Sequence, residues 1–305
     1  MARPKLSIIT PSLNQGKFLE RTIKSVLDQG YPNLEYVIVD GGSTDDSVEI
    51  IKRYEDRLEW WVSEPDEGQT AAINRGIEGT SGEVVAYLNS DDYYLPGAFD
   101  TAIAAFDRSG AGWVAGAAVD VMEDGSSDPI GILRPEPPSS VEGLVKGRFW
   151  WMLRPWAVPQ PSAFWRRELF DRFGLFRLDM HYAFDAEFMV RLALAEQPPA
   201  FLPDDVLATR SVHPEQKSAN PRNWRAERRR MTSLYLHQLT EQERRRYALI
   251  RWPYEAYSWL SDWLVEPVLR VGGNALERLP ERLRPPIRSR DRGARAAARA
   301  ADGGD

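Results

Sequence analysis

The sequence predicts an α/β protein built on a doubly wound, mostly parallel sheet, with a small antiparallel element and a C-terminal helical extension. Three observations lead to this prediction. Short apolar runs of strand length alternate with stretches of helical periodicity over the first hundred or so residues. After about residue 110 the pattern changes to a pair of short strands around a turn, and from residue 221 the chain is Arg-rich and helical by pattern.

Four strands are predicted in the first part of the chain. They cover residues 6–10, 34–40, 58–63 and 84–88. The segments between them place apolar residues at helical spacing, as in Phe18, Leu19 and Ile23. Strands joined through helices run parallel with right-handed crossovers, so their carboxyl ends meet at one crevice. An acidic or amide side chain follows each of these strands: Asn14, Asp40, Asp66 and Asp92.

Two adjacent carboxylates follow the fourth strand. Residues 84–88 are short and wholly apolar, as expected for a strand buried on both faces, and Asp91 and Asp92 come just after it. Ligands bind at this end of an open α/β sheet, and hard oxygen ligands suit Mg²⁺ or Mn²⁺ carrying a phosphate. A capping turn between strand and helix is the alternative interpretation, because Asn, Ser and Asp are common there.

Regular structure is also predicted beyond residue 110. Residues 113–121 and 129–133 flank the turn sequence EDGSS and predict an antiparallel hairpin. Residues 147–168 hold four of the eleven tryptophans with three prolines, which predicts an aromatic-rich loop. A helix is predicted over 183–194, an edge strand over 200–208, and a polar loop over 209–220.

Three regions are expected along the chain: a catalytic domain over 1–220, a helical extension over 221–288 and a disordered tail over 289–305. Within the extension, one stripe carries Ala256, Trp259, Leu260, Trp263 and Leu264. Such a face either lies on a membrane interface or a partner, or packs on the catalytic domain.

Composition limits the function classes. The chain has 305 residues, a net charge of −6 and no cysteine. Disulfides, thiolate metal sites and a cysteine nucleophile are therefore excluded, and a nucleic-acid partner has no overall electrostatic support. No signal-peptide core and no unbroken apolar run of spanning length are found, so a cytoplasmic protein is expected, with peripheral contact to the inner face of the membrane through the C-terminal helices as an alternative.

Residues 6–99 resemble the family 2 glycosyltransferases. Four motifs occur in order at the ends of consecutive strands, and they read LSIITPSLNQGKFLERTIKSVLDQ, YVIVDGGSTDDSVEII, SEPDEGQTAAINRGI and VVAYLNSDDYYLPGA. The resemblance implies the GT-A fold and transfer of a sugar from a nucleotide diphosphate donor, a UDP-sugar by expectation, to a polysaccharide or glycolipid acceptor. It weakens beyond the first third of the chain but extends to about residue 218.

The resemblance also implies a set of site residues. Asp92 matches the metal ligand, and His213 resembles a late loop histidine that can add a second ligand to Mg²⁺ or Mn²⁺. The donor nucleotide sugar is expected to contact Thr10, Pro11, Asn14, Asp40, Asp66, Asn74, Ser90, Asp91, Gln160 and Lys217. The chain departs from the family in having Gly41 where a second Asp usually follows Asp40.

Asp185 is the expected catalytic base. Inverting transfer needs a group that removes the acceptor hydroxyl proton, and by the resemblance Asp185 stands where the family has its catalytic carboxylate. Glu187, two residues on, points elsewhere around the helix and is the weaker candidate. A carboxylate favoured only by the dipole of the first helical turn is the alternative role for Asp185.

Other functions are weighed against an inverting, metal-dependent glycosyltransferase. A catalytically silent subunit that binds a nucleotide sugar within a glycan-assembly complex would carry the same donor motifs. An NAD(P)-dependent oxidoreductase is disfavoured, because PSLNQG follows the first strand in place of G-x-G-x-x-G. A nucleotidyltransferase is disfavoured because no Gly-rich basic loop follows that strand.

Overall fold

The computed structural model describes residues 3–122, 131–135, 158–217, 221–245 and 247–249. The chain forms two compact units, Met1–Thr240 and Glu241–Asp305. The predicted boundary at residue 220 stays a prediction, as do the extension to 288 and the tail from 289. The Trp/Leu stripe over 256–264 and the tail lie outside the described residues.

Among the described residues, one sheet of nine strands organises the first unit. The strands are β1 (Leu6–Ser12), β2 (Leu34–Asp40), β3 (Trp60–Ser63), β4 (Val84–Tyr87), β5 (Tyr93–Tyr94), β6 (Trp113–Met122), β7 (Gly131–Leu133), β8 (Ala163–Arg166) and β9 (Ala200–Val212). Their order across the sheet is β3-β2-β1-β4-β8-β6-β9-β5, with β7 beside β6. The helices are α1 (Gly16–Leu27), α2 (Ser47–Lys52), α3 (Gln69–Glu78), α4 (Ala98–Ser109), α5 (Arg167–Phe173), α6 (Phe184–Leu194) and α7 (Pro221–Tyr235), with short 3₁₀ turns at Glu55–Arg57, Gln160–Ser162 and Leu236–Gln238.

The predicted parallel half of the sheet is confirmed. Strand β1 pairs in parallel with β2 and β4, and β2 pairs in parallel with β3. The register places Ser12 beside Asp40 and Asp40 beside Ser63, so three strand ends meet at one edge. The predicted hairpin is confirmed over its described part, since β6 and β7 pair antiparallel.

The two faces of β1 pack against different helices. Leu6 and Ile8 are fully buried in a core that includes Leu19 of α1. Ile9 points to the other face, where Gly76 of α3 lies so close that an added Cβ would stand 2.4 Å from its side chain. A glycine is therefore required at this crossing of helix and strand, because a methyl group there would displace a buried isoleucine.

Two predictions about the later strands are wrong. The segment predicted as a continuous aromatic loop over 147–168 contains β8, which lies between β4 and β6. The reason is that Trp165 is a core residue, fully buried and stacked between Tyr87 and Trp113 with ring centroids 6.2 and 6.5 Å away. The part of that loop with Trp150, Trp151 and Trp156 lies outside the described residues.

Strand β9 is the second correction. It runs to Val212, four residues beyond the predicted end at 208, and lies between β6 and β5, so it is not an edge strand. Its parallel pairing with β6 continues to the Met122 and Val212 pair, which extends the strand into the predicted polar loop. This extension carries the chain toward His213.

Helix α7 packs on the segment that leads into α6. Arg230 of α7 forms an ion pair with Asp179, and the Tyr235 hydroxyl donates to buried Glu187. The search for membrane spans, which covered only the residues that the structure describes, found no helix both long and apolar enough to cross a bilayer.

Candidate active site

The turn after β4 is held by helix α1. The hydroxyl of Thr22 donates to the carbonyl oxygens of Ser90 at 2.8 Å and Asp92 at 2.7 Å. Thr22 is itself fully buried, so its helix fixes the backbone of the acidic turn. The predicted donor and metal residues Ser90, Asp91 and Asp92 are thereby presented at the carboxyl end of a fully buried strand.

Asp91 lies against the histidine predicted from the distant loop. Its Oδ2 is 3.0 Å from Nε2 of His213. The histidine is buried, and its ring centroid lies 5.0 Å from that of Phe18 on α1. Arg21, one turn further along α1, donates to the Asp91 carbonyl at 3.2 Å and to the Ser211 hydroxyl at 3.0 Å. Helix α1 thus joins the acidic turn to the end of β9.

Asp92 is a buried carboxylate with little compensation. Its Oδ1 accepts from the Ser211 amide at 2.9 Å, and its Oδ2 is 3.4 Å from Nδ2 of Asn89. Burial, and then the neighbouring Asp91 carboxylate, raise the pKa of Asp92 well above its usual range. A cation at this position would oppose both effects, because a nearby positive charge favours the ionised carboxylate.

Carboxylate oxygens are the ligands that suit Mn²⁺ or Mg²⁺. The buried and poorly paired Asp92 fits such an ion, and Asp91 and His213 lie beside it. Among the residues that the structure describes, however, no group of three or more His, Asp or Glu side chains is already gathered as a metal site.

A chain of amide groups connects Asp92 to Lys217. Nε2 of Gln69 donates to Oδ1 of Asn89 at 2.7 Å, and Nζ of Lys217 donates to Oε1 of Gln69 at 2.9 Å. The same Asn89 lies 3.4 Å from the amide oxygen of Gln160, whose Nε2 donates to the Tyr87 carbonyl at 2.9 Å. Asn89 and Gln69 are not among the predicted site residues, although Asn89 directly precedes Ser90 and Gln69 follows Asp66 by three residues within the quoted motifs.

Asp185 lies in the first turn of α6. It is half-buried, and its Oδ1 accepts from the Ala186 amide at 2.7 Å. Burial raises the pKa of Asp185 to about 6, against the opposing effect of that hydrogen bond and of the Lys217 ammonium. A carboxylate with this pKa is ionised at neutral pH and is a stronger base than an exposed aspartate.

Glu187 has a different environment, as the sequence analysis expected. Its carboxylate is fully buried and pairs with Arg191 at 2.7 Å, and it accepts from the Tyr235 hydroxyl. Arg191 donates in turn to the carbonyl oxygens of residues 173–175. Glu187 therefore joins α6 to its neighbours and has no free oxygen facing a cleft.

Asp40 and Asp66 lie beside each other at the ends of β2 and β3. The buried Asp40 carboxylate accepts from the Gly42 and Ser43 amides and from the Ser63 hydroxyl, at 3.1, 2.8 and 2.7 Å. An added Cβ on Gly41 would stand 3.3 Å from both carboxylate oxygens of Asp66. The glycine that departs from the family pattern therefore lies directly against Asp66, another residue predicted to contact the donor.

The other predicted donor residues have partners within the protein. Thr10 shares a buried hydrogen bond of 3.0 Å with the Tyr36 hydroxyl, and the next residue, Pro11, is buried in β1. Asn14 has a φ of 52° and accepts from the Thr44 amide at 2.8 Å. Asn74 bonds both the carbonyl and the amide of Phe176, at 2.8 and 3.1 Å.

These contacts divide the predicted site residues into groups. Hydrogen bonds connect Asp91 with His213, and Asp92 with Gln160 and Lys217 through Asn89 and Gln69. Asp185 interacts electrostatically with Lys217. Thr10 and Asn74 are engaged with core and backbone partners, and their predicted donor contacts remain predictions.

A family model described as Glycosyl transferase family 2 matches residues 7–173, more than half of the chain. The chain belongs to glycosyl transferase family 2. The match contains the four strand-end motifs except Leu6, the first residue of the first motif, and it also contains β8, which was not predicted from the sequence.

A curated relative supports the assignment. An uncharacterized glycosyltransferase of Mycobacterium tuberculosis is 33% identical over 199 residues, which cover 64% of this chain and 71% of that protein. The aligned length exceeds that of residues 6–99, which carry the four motifs.

Two solved structures show the fold of this family 2 glycosyltransferase. Staphylococcus aureus TarS 1–349 in complex with UDP is 21% identical, covers 98% of this chain and 88% of its own, and has a TM-score of 0.63. The mannosyltransferase PcManGT from Pyrobaculum calidifontis, in complex with GDP-Man and Mn²⁺, is 21% identical, covers 99% and 81%, and has a TM-score of 0.55. The GT-A fold is therefore confirmed.

Proposed function

We propose that this family 2 glycosyltransferase is an inverting, metal-dependent enzyme that uses a nucleotide diphosphate sugar, a UDP-sugar first, and Asp185 as its base. The observation that carries the proposal is the chemistry of Asp185. Its carboxylate is half-buried, and its pKa is raised to about 6. It interacts electrostatically with Lys217, whose ammonium group is connected to the acidic turn through Gln69 and Asn89.

The proposed donor site uses the acidic turn and the lysine. Asp92, with Asp91 and His213, would hold Mn²⁺ or Mg²⁺, which supplies positive charge to the donor diphosphate. Lys217 would contact the diphosphate, and Asp40 and Asp66 would face the nucleoside. The TarS complex with UDP and the PcManGT complex with GDP-Man and Mn²⁺ support a nucleotide donor and a divalent ion.

In the proposed reaction, the acceptor hydroxyl oxygen attacks the anomeric carbon of the donor sugar. The hydroxyl proton moves to the carboxylate of Asp185, and the bond between the anomeric carbon and the phosphate oxygen breaks. The nucleotide diphosphate leaves with the bonding electrons. Attack opposite the leaving group inverts the anomeric configuration. Lys217 offsets the charge that builds on the departing diphosphate.

The acceptor and cellular location complete the proposal. Family membership supports a polysaccharide or a glycolipid acceptor. We also propose a cytoplasmic protein with peripheral membrane contact through residues 221–288, and flotation of the full chain with anionic vesicles tests the membrane contact. Recovery of all the protein in the vesicle-free fraction would contradict it.

A nucleotide-release assay tests the enzyme. Purified protein is incubated with UDP-, GDP-, dTDP- and CDP-sugars, each with Mn²⁺, Mg²⁺ or EDTA, and with short glycan or lipid-linked acceptors. We expect release with one nucleotide class, loss of release in EDTA, and a decrease of about 10²- to 10⁴-fold in Asp185→Asn. Asp185→Asn at the wild-type rate would contradict the role of the base.

The alternative is a catalytically silent subunit that binds the nucleotide sugar. A thermal-shift panel of the four nucleotide diphosphates, with and without Mn²⁺, detects binding without turnover, because a ligand that binds only the folded state raises the Tm. A shift with one nucleotide but no release with any donor and acceptor would favour the subunit.

A further inference from the structure

Helix α7 lies beyond the end of the family match and contacts the segment that leads into the proposed base. The carboxylate of Glu227 accepts three consecutive backbone amides, from His181 at 2.7 Å, Tyr182 at 2.6 Å and Ala183 at 2.9 Å. Nδ2 of Asn223, one turn earlier, donates to the Tyr182 hydroxyl at 2.9 Å. One residue separates the last of these amides from Asp185.

These three amides belong to the residues immediately before Phe184, the first residue of α6. A backbone amide that is withdrawn from water needs an acceptor, from the backbone, a side chain or an ordered water. Ala183 is the capping residue of α6, and its own side chain cannot accept a hydrogen bond. Glu227 supplies an acceptor for all three amides from a different helix, with both carboxylate oxygens engaged.

The segment that Glu227 holds also contacts the lysine of the proposed site. Lys217 lies over the rings of Tyr182 and Phe184, at 5.3 and 5.8 Å from Nζ to the centroids. Residues 182–185 therefore carry both the platform for the lysine and the carboxylate of Asp185. A change in the backbone of residues 181–183 would move the two charged groups relative to each other.

We propose that Glu227 is a positioning residue for catalysis, holding the three amides that precede Asp185 so that the carboxylate keeps its place at the acceptor. This proposal rests on the proposed role of Asp185 as the base. It extends the functional part of the chain into α7, beyond the matched residues 7–173 and into the region that the sequence analysis assigned to a helical extension.

The experiment compares Glu227→Gln with two other variants. Glutamine keeps the size of the side chain but replaces one accepting oxygen by an NH₂ group that opposes a backbone amide. Arg230→Gln is the matched control, because Arg230 joins the same helix to the same segment through the carbonyl and carboxylate of Asp179 without touching residues 181–183. Glu227→Asp retains the charge but shortens the side chain.

We expect kcat to fall at least tenfold in Glu227→Gln with the donor KM within about threefold of wild type. Arg230→Gln should keep kcat within about twofold at a comparable loss of Tm, and Glu227→Asp should recover part of the lost kcat. Hydrogen exchange in the ligand-free protein should be faster at the amides of residues 181–183 in Glu227→Gln than in Arg230→Gln.

Different failures have different meanings. If Asp185→Asn is inactive while Glu227→Gln has wild-type kcat, the positioning role is wrong and the proposed function stands. Equal losses of kcat in Glu227→Gln and Arg230→Gln would show general destabilisation and would also overturn it. If Asp185→Asn is fully active, the proposed base is wrong whatever Glu227→Gln does, and the exchange measurement still reports on the three hydrogen bonds.

Discussion

Nε2 of His213 lies 3.0 Å from Oδ2 of Asp91, although 122 residues separate them in the sequence. Burial against the Phe18 ring fixes the imidazole of His213, and the turn after β4 fixes the carboxylate of Asp91. The two side chains that family resemblance assigns to the donor and the metal are therefore already in contact. This relationship makes the metal dependence testable at a residue outside the acidic turn.

We predict that His213→Gln raises the Mn²⁺ concentration needed for half-maximal activity by at least tenfold. Glutamine lacks the imidazole nitrogen that would bind the ion. The measurement is a Mn²⁺ titration of nucleotide release at saturating donor. His237→Gln is the control, since His237 is exposed on a 3₁₀ turn, and an unchanged titration in His213→Gln would contradict the metal role.

The rate should depend on the protonation of Asp185. Burial raises the pKa of this carboxyl to about 6, with Lys217 opposing and Glu227 adding to the rise. Below that pH the group is protonated and cannot accept the acceptor proton, so kcat/KM should fall about tenfold per pH unit below pH 6. The dependence of kcat/KM on pH is measured between pH 4.5 and 8.5, in about eight buffers of constant ionic strength. A profile that stays flat down to about pH 5 would exclude Asp185 as the base.

Gln69 is predicted to support donor binding. It bridges Lys217 to Asn89, with hydrogen bonds of 2.9 and 2.7 Å, and so holds the ammonium group near the acidic turn. Removing the bridge in Gln69→Ala should raise the donor KM by about tenfold, as expected from the loss of one or two hydrogen bonds. Initial rates against donor concentration measure the donor KM. Gln29→Ala serves as the control, because the side-chain amide of Gln29 donates to the Leu95 carbonyl and to no residue of the proposed site.

Glu35 is predicted to stabilise the fold from the opposite end of the sheet. Burial acts to raise its pKa, but hydrogen bonds from Lys5, Ser7 and the Ser81 amide prevail and lower it to about 2. The depressed pKa implies about 3 kcal/mol of stability, present above the unfolded pKa of about 4.5 and lost as the pH falls toward 2.

Glu35→Gln should therefore lower the free energy of unfolding by about 2–4 kcal/mol at pH 7 and flatten its dependence on pH below about 4.5. Urea unfolding at several pH values measures both effects. Glu78→Gln, at an exposed position near the end of α3, should change neither. An unaltered acid dependence in Glu35→Gln would mean that other carboxylates cause the acid sensitivity.

Gly76→Ala is expected to destabilise the protein although alanine favours helices. The gain in helix propensity is about 1 kcal/mol, but the new methyl group would stand 2.4 Å from the buried Ile9 side chain. Overpacking costs about 1–3 kcal/mol, so a net loss of up to about 2 kcal/mol is expected, measured by urea unfolding. Gly131→Ala, where an added Cβ meets nothing within 4 Å, is the control. A more stable Gly76→Ala would show that the helix can shift away from β1.

The parallel half of the fold follows from local patterns. Each strand from β1 to β4, and each helix between them, is a short segment with its own periodicity. The polar residues at the end of each strand lie next to it in the sequence. The positions of Asp40, Asp66 and Asp92 at strand ends could therefore be predicted without knowing any long-range contact.

The second half depends on contacts between distant residues. Trp165 reads as a residue of an aromatic loop, and only its burial between Tyr87 and Trp113 makes β8 a central strand. The place of β9 depends likewise on its pairing with β6. Propensity describes a residue and its neighbours, whereas strand order depends on which distant segments bury one another.

The sequence by itself determined the family, the α/β class and the acidic residues at the strand ends, because these are properties of single segments. The tertiary structure decided the contact of His213 with Asp91, the bridge from Asn89 to Lys217, and the hydrogen bonds of Glu227 to the segment before α6. These contacts join side chains far apart in the chain, and no local pattern encodes a hydrogen bond that exists only after the sheet has brought its partners together.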